Sequence, residues 1–415
     1  MATKHVVSAA AQTMQAVPAV PAESLGRLFL RFLRFGCLAW GGPVAQIAML
    51  RQELVEEERW VSSEHFNRAL AMYQILPGPE AHELCVYFGM LSRGRTGAIL
   101  AGVGFMLPGF VLMFALSWLY VRYGLDTHGA LAVVFAAIQA AVAALVVRAV
   151  WRIGSHVLLD RWLWIIAAGA FAAQLLGVGF AVTLAAGGLI YFLVRRFRPG
   201  VAALFAAACC ITLAIVTYRT GFELQALQLG DAATGDARSA ASLPDLFLSG
   251  LKTGLLSFGG AYTAIPILQH DAVIEGAWMS HAQFLDGLGL SGLLPAPLII
   301  FGTFVGFIGG GPLGALLLTL GIFLPAFAFT LVAHDPLERL LHHPRVHAFL
   351  EGVTAAVVGI IAGTAGSILV GTLSGAMTIA VFVLALAAFF YWNTRLLVPM
   401  VIAGAALFGG LAHVF

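Results

Sequence analysis

Few residues in this chain are suited to chemistry, and they stand out because their surroundings are apolar. The run Leu76-Pro77-Gly78-Pro79-Glu80-Ala81-His82-Glu83 sets three ionisable groups beside two prolines within an apolar block. Two prolines so close cannot sit inside a regular helix, whereas Pro79 suits the first turn of a new one. Glu80, His82 and Glu83 then fall in that first turn, with Glu80 and Glu83 on one face. An ionisable group at membrane depth marks a functional site, and an acid or an imidazole there is suited to carrying a proton. The plainer alternative is capping of a helix start by acids at a membrane surface.

A second pattern is a glycine pair that occurs twice, in Trp40-Gly41-Gly42-Pro43 and in Ser257-Phe258-Gly259-Gly260-Ala261. Pro43 lacks an amide hydrogen, and the glycines add backbone freedom. A helix broken there frees N–H groups that hydrocarbon cannot satisfy, so the break belongs in a protein interior or beside a wet cavity. The helix restarting after it offers N–H groups and a positive dipole end to an anion. Close helix packing through small residues is the competing account.

Arg34 and Lys252 each stand seven residues before a glycine pair. That is nearly two turns, which puts a cation on the glycine face about 10 Å away. Such a cation either draws an anion towards the break or snorkels to the headgroups, as neighbouring Arg27 and Arg31 would. Gln46, Tyr262, Thr263 and Gln269 follow the pairs, placed to face a ligand or to pack between helices. The substrate-binding set read from the sequence is therefore Arg34, Gly41, Gly42, Gln46, Lys252, Gly259, Gly260 and Tyr262. Glu80, His82 and Glu83 are the proton-coupling set, and Pro43, Pro77, Pro79, Pro295 and Pro297 the helix breakers.

The elements that must position these residues are membrane helices. The chain has 415 residues, 60% apolar and only 10% charged, with a mean hydropathy of +0.94. Soluble domains carry roughly 25% charged residues, so a nucleic-acid binder, a disordered chain and an ordinary cytosolic enzyme are excluded. Transmembrane barrels alternate polar and apolar residues and do not reach such a mean. Apolar blocks cover approximately 28–50, 69–92, 97–121, 130–150, 162–178, 179–194 and 200–217, then 246–269, 285–308, 312–333, 347–371, 374–392 and 396–413. Several are near or below the ~20 residues of a full span, so twelve or thirteen transmembrane or re-entrant segments are expected. Residues 1–23 read as a flexible tail and 219–244 as a polar linker between 24–218 and 245–415.

These two halves repeat. Displaced by 218 residues, Gly36 falls on Gly254, Gly41-Gly42 on Gly259-Gly260, Trp60 on Trp278, Leu76-Pro77 on Leu294-Pro295 and Pro79 on Pro297. Arg34 meets Lys252 and Glu53 meets Asp271, so the sign of charge is kept. Glu80, His82 and Glu83 meet Leu298, Ile300 and Phe301, so the charged run belongs to one half. Internal duplication is a habit of secondary transporters. Seven crossings in the first half would invert the second half, and six, with 69–92 re-entrant, would leave it parallel.

No metal or cofactor site is expected. Cys37, Cys85, Cys209 and Cys210 show no metal-ligand spacing, and prolines interrupt the histidine group His334, His342, His343 and His347. Glu80-x-His82-Glu83 lacks zinc-binding spacing, and no Gly-x-x-x-x-Gly-Lys motif is present for ATP, so an enzyme is not expected.

The motifs Phe-Gly-x-x-x-Trp-Gly-Gly-Pro at 35–43, Leu-Pro-Gly-Pro-Glu-Ala at 76–81 and Gly-x-x-Phe-x-Leu-Pro-Gly at 102–109 resemble the chromate ion transporter family. Ser-Phe-Gly-Gly-Ala-Tyr at 257–262 and Gly-Leu-Leu-Pro-Ala-Pro at 292–297 resemble its second-half signature, and the likeness covers about 28–413. The resemblance implies an all-α polytopic protein of the bacterial inner membrane whose homologous halves lie in opposite orientations. It implies export of chromate, driven by the proton-motive force and conferring chromate resistance. Sulfate, with the same charge and tetrahedral shape, is the alternative substrate, imported or exported. Protons as coupling ion and the lipid bilayer complete the expected partners, with a homodimer as the assembly to test and no nucleic acid.

Overall fold

The computed structural model describes residues 20–124, 130–196, 200, 240–258, 260–341, 344–392, 394 and 396–414. The expected block 200–217 beyond its first residue, most of the linker and Gly259 lie outside the described residues. The first half comprises α1 (Leu25–Cys37), α2 (Gly42–Leu50, prolonged by a π-helical turn Arg51–Glu57), α3 (Ser63–Ile75), α4 (Glu80–Tyr123), α5 (Ala130–Val157), α6 (Arg161–Leu175) and α7 (Phe180–Arg196). The second half repeats them as α8 (Leu243–Leu256), a 3₁₀ turn (Ala261–Thr263), α9 (Ala264–Gln269, prolonged by a π-helical turn His270–Glu275) and α10 (His281–Gly292). A 3₁₀ turn (Leu298–Phe301), α11 (Gly302–Leu341), α12 (Pro344–Thr372), α13 (Ala376–Tyr391) and α14 (Leu397–Val414) complete it. Leu243 already starts a helix, so the last residues of the expected linker belong to the second half.

The duplication extends to the caps. Ser24 and Ser62 accept the amides of Arg27 and His65, and their counterparts Ser242 and Ser280 accept those of Asp245 and Gln283. A serine hydroxyl at that position satisfies an N–H that the helix itself leaves orphaned.

Helices α4 and α11 each double back. The backbone leaves the helical region at Arg93–Gly94 and at Gly310–Gly311, where Gly94 (φ 59°) and Gly311 (φ 62°) adopt the left-handed conformation that glycine permits. Gly89 then packs against Gly97 and Ala101, and Gly306 against Gly314 and Ala315. Each element is therefore a short arm and a long arm lying antiparallel.

The block 28–50, written above as one segment, folds as a hairpin of α1 and α2, with Arg31 reaching Glu53 at 3.0 Å and Glu58 at 2.6 Å across its base. The block 69–92 is likewise a hairpin of α3 and the α4 short arm, closed by stacked rings of His65 on Tyr87 and Phe66 on Phe88. Both hairpins share a base, since Ser92 donates to the Pro21 carbonyl at 2.7 Å and Arg93 to that of Glu23. Each pair of apolar helices thus enters from one side and returns to it.

The second half is inverted. Moving up the α4 long arm, Gly102 meets Phe327 far along the α11 long arm, Gly109 meets Ala296 at a hairpin tip, and Tyr120 meets Phe304 and Asp286 nearer the second half's base. The bases of the two halves therefore face opposite sides, and the tips meet between them. Among the described residues, four helices are long and apolar enough to cross a bilayer: Glu80–Tyr123, Leu131–Val157, Leu298–Val332 and Arg345–Thr372.

The halves are also interlocked. Helix α5 packs on α13 and α14 of the other half, and α12 packs reciprocally on α6 and α7. Buried Asp286 on α10 ties them further, accepting hydrogen bonds from Tyr120 Oη at 2.7 Å and Gln139 Nε2 at 2.8 Å.

Candidate functional site

The tip of the second first-half hairpin (76–79) meets the break that ends α8. Pro77 and Phe258 form an isolated antiparallel bridge, in which the Gly78 amide donates to the Ser257 carbonyl at 3.0 Å. The two prolines keep this tip out of the helix, which leaves the Gly78 amide to the second half. Gly260 holds φ 103°, a value that side chains with Cβ rarely adopt. A helical run then starts at Ala261, and its first amides have no acceptor within the run. Thr263 Oγ1 donates to the Gly260 carbonyl at 2.7 Å and fixes the corner.

The first-half break is built differently. Gly41 (φ 89°) and Gly42 (φ 76°) are both left-handed and Pro43 opens α2. Gln46 turns back to donate to the Ala39 carbonyl at 2.9 Å, closing its own tip. Pro295 and Pro297 form the corresponding second-half tip, followed by the buried apolar Leu298, Ile300 and Phe301.

Pro79 is the N-cap of α4, so Glu80 is its first residue. A Cβ built on Gly260 would lie 3.6 Å from Glu80 Oε1, which places this carboxylate against the second-half break. The Gln74 side chain is a polar neighbour of Glu80, and Arg152 of α5 is its cationic neighbour. Glu83 is fully buried beside Gly78, with no hydrogen bond to either oxygen. His82 is also fully buried, boxed by Phe323, Phe327 and Phe105 at ring distances of 4.8, 5.0 and 6.5 Å. It packs behind Glu80 rather than at the break.

The cations singled out from the sequence are engaged elsewhere. Arg34 pairs with Glu53, and Lys252 with Asp271 at 2.6 Å. The acids sit on the duplicated π-helical turns, and Arg31 bonds Glu53 as Ser249 bonds Asp271 at 2.8 Å. Arg34 and Lys252 thus clamp the bases of equivalent hairpins. The cations near the central tips are Arg148 and Arg152, one turn apart on α5, both electrostatic neighbours of the half-buried Tyr262. Arg148 lies over the ring of Phe389 at 5.6 Å. Sequence reasoning missed this pair, although two arginines closing the apolar block 130–150 were a visible signal. Counterparts are absent: α12 carries no Lys or Arg after Arg345.

One group of possible metal ligands occurs among the described residues, His270, Asp271 and Glu275, with ligand atoms within 4.8 Å of one another. Both Asp271 oxygens are already held by Lys252 and Ser249, so the group reads as part of the base clamp.

An inverted repeat with broken-helix tips meeting between its halves is the build of a membrane transporter. The profile of the chromate transporter family matches residues 26–192 and again 244–410, and the chain belongs to that family. It is 52% identical over 405 residues to the chromate transport protein of Pseudomonas aeruginosa, covering 96% of this chain and 94% of that one. It is 31% identical over 405 residues to the chromate transport protein of Cupriavidus metallidurans, covering 96% and 95%. A probable chromate transport protein of Synechococcus elongatus is 28% identical over 391 residues, covering 94% and 96%. No solved structure matches the chain.

Proposed function

We propose that this chain exports chromate across the bacterial inner membrane at the expense of the proton-motive force, and so confers chromate resistance. The observation that carries the site is the meeting of Glu80 with the Gly260 break, beside Arg148 and Arg152. A tetrahedral dianion would take the free amides after Gly260 and the guanidinium groups of α5, with Tyr262 at the rim. The full-length relatives named chromate transport proteins support this substrate.

The charge distribution supports an orientation. The hairpin bases of the first half carry Arg27, Arg59, Arg93 and Arg95, and the same end holds Arg161, Arg195 and Arg345. Among the described residues the opposite end has Arg122 and Lys252. The positive-inside rule then puts the first-half bases in the cytoplasm. A negative-inside potential favours outward movement of a dianion by about 4.6 kcal/mol per 100 mV, twice the single-charge value. Glu80 and Glu83 are the groups we assign to handling protons.

The test is chromate accumulation in everted vesicles, with membrane potential and pH gradient imposed separately and sulfate as competitor. Uptake driven by either component, and weakly inhibited by sulfate, is expected. Accumulation only in right-side-out vesicles, or flux indifferent to both gradients, would overturn the reading.

A further inference from the structure

We propose that a cavity of about 220 Å³ between the two halves, lined by both polar and apolar side chains, is the cytoplasmic water-filled vestibule through which Glu80 exchanges protons; this rests on the transport reading above and deepens it. Its polar wall groups include Gln74 of α3, His156 at the end of α5, Asp160, Tyr191 of α7, and His347 and Glu351 of α12, set among apolar side chains such as Leu163 and Leu350. The packing of α12 on α5, α6 and α7 brings the walls of the two halves together.

The cavity's mouth is at the end of the molecule that carries Arg161 and Arg345. His347 and Glu351 are partly exposed there and lie 3.4 Å apart. Tyr191 Oη donates to Asp160 Oδ2 at 2.7 Å on the opposite wall. The inner end is Gln74, whose side chain lines the cavity and is a polar neighbour of the Glu80 carboxyl. His156 lies one turn beyond Arg152 and contacts its carbonyl at 2.8 Å, so the same helix face runs from the cavity to the tip region.

At ~30 Å³ per molecule in the liquid, the space holds on the order of seven waters, and the walls provide the several polar partners each would need. Asp160 and Glu351 oppose entry of a dianion, whereas waters between imidazole, carboxylate and amide groups suit proton passage. The second-half counterparts of Gln74 and Glu80 are Gly292 and Leu298, which carry neither a side-chain amide nor a carboxyl, so this pairing belongs to the first half.

Cysteine access reads this directly. With Cys37, Cys85, Cys209 and Cys210 replaced by Ala, Gln74→Cys, His347→Cys and Glu351→Cys are treated with a membrane-impermeant thiol reagent in everted and in right-side-out vesicles. All three are expected to react in everted vesicles and to lose that reaction in right-side-out ones. Bulky modification of Glu351→Cys should then remove the pH-gradient-driven part of chromate flux and spare the potential-driven part. Reaction of Glu351→Cys without Gln74→Cys, reaction from the outer face, or equal loss of both flux components would overturn the vestibule. If Gln74→Cys does not fold, Thr354→Cys, another lining position, replaces it under the same criteria. Labelling needs no flux, so a chain that failed to move chromate would still report access, and the two failures remain distinct.

Discussion

The amide of Gly78 donates to the carbonyl of Ser257, 3.0 Å away, and this bond joins the tip of a first-half hairpin to the broken helix of the second half. The bridged residues are Pro77 and Phe258, and their counterparts Pro295 and Trp40 form no such bridge among the described residues. The two halves therefore share a skeleton but not a role: one tip pair is stitched and flanked by charge, and the other is closed on itself through Gln46.

Gly260→Ala should impair transport more than folding. Its φ of 103° is strained for alanine, at about 1–2 kcal/mol, and the new methyl would stand 3.6 Å from Glu80 Oε1. Chromate flux should fall severely while thermal unfolding shifts by a few degrees. Wild-type flux in this variant would remove Gly260 from the anion site.

Arg148→Gln and Arg152→Gln should each lose one charge-assisted contact, about 2 kcal/mol or roughly thirty-fold in apparent chromate affinity. Arg34→Gln and Lys252→Gln remove a partly exposed cation from a more deeply buried acid and should lower stability, more so for Lys252→Gln, which leaves buried Asp271 held by Ser249 alone, with apparent affinity unchanged. Concentration dependence of flux in the four variants separates the assignments.

Asp160 supplies a pH signature outside the membrane spans. Burial alone would push its carboxyl up, but hydrogen bonds from Tyr191 and the amides of Leu163 and Trp162, with Arg195 nearby, hold it below the usual carboxylate range. A lowered folded value means that its stabilisation is complete above about pH 4 and is lost as pH falls through that lower value. Asp160→Ala should therefore cost about 1 kcal/mol at neutral pH, the worth of an N-cap, and the gap to wild type should narrow in acid. A gap that widened with acid would contradict this.

Gly97→Ala and Gly314→Ala should each destabilise the protein by about 1–3 kcal/mol, since the added methyl meets the backbone of Gly89 or Gly306 across the folded-back arms. Similar losses in both variants are expected, because the two arms are equivalent. Melting in detergent measures this.

Much of this arrangement was legible in the residues. The repeated Gly-Gly and Pro-x-Pro positions mark the four tips, because only a broken helix requires them in apolar blocks. The antiparallel folding of α4 at Gly94 was not legible, since one glycine between two apolar runs reads equally as a surface turn. Arg148 and Arg152 were hidden for a related reason: near the end of a span, an arginine that turns inward looks the same in sequence as one that snorkels. The partners of Arg34 and Lys252 were on view in the paired Glu53 and Asp271, but only the hairpin fold brings residues nineteen apart into contact.

The reciprocal packing of α5 and α12 has a consequence in time. Helices α6 and α7 finish their partner surface only when α12 has been made, 176 residues after Arg196. At ~5–20 residues per second the ribosome takes roughly 9–35 seconds to deliver it. For that interval the faces of α6 and α7 that α12 will cover must wait in the bilayer without it. Neither half can mature by itself, and the chain acquires its vestibule and its closed tip in a single late docking event.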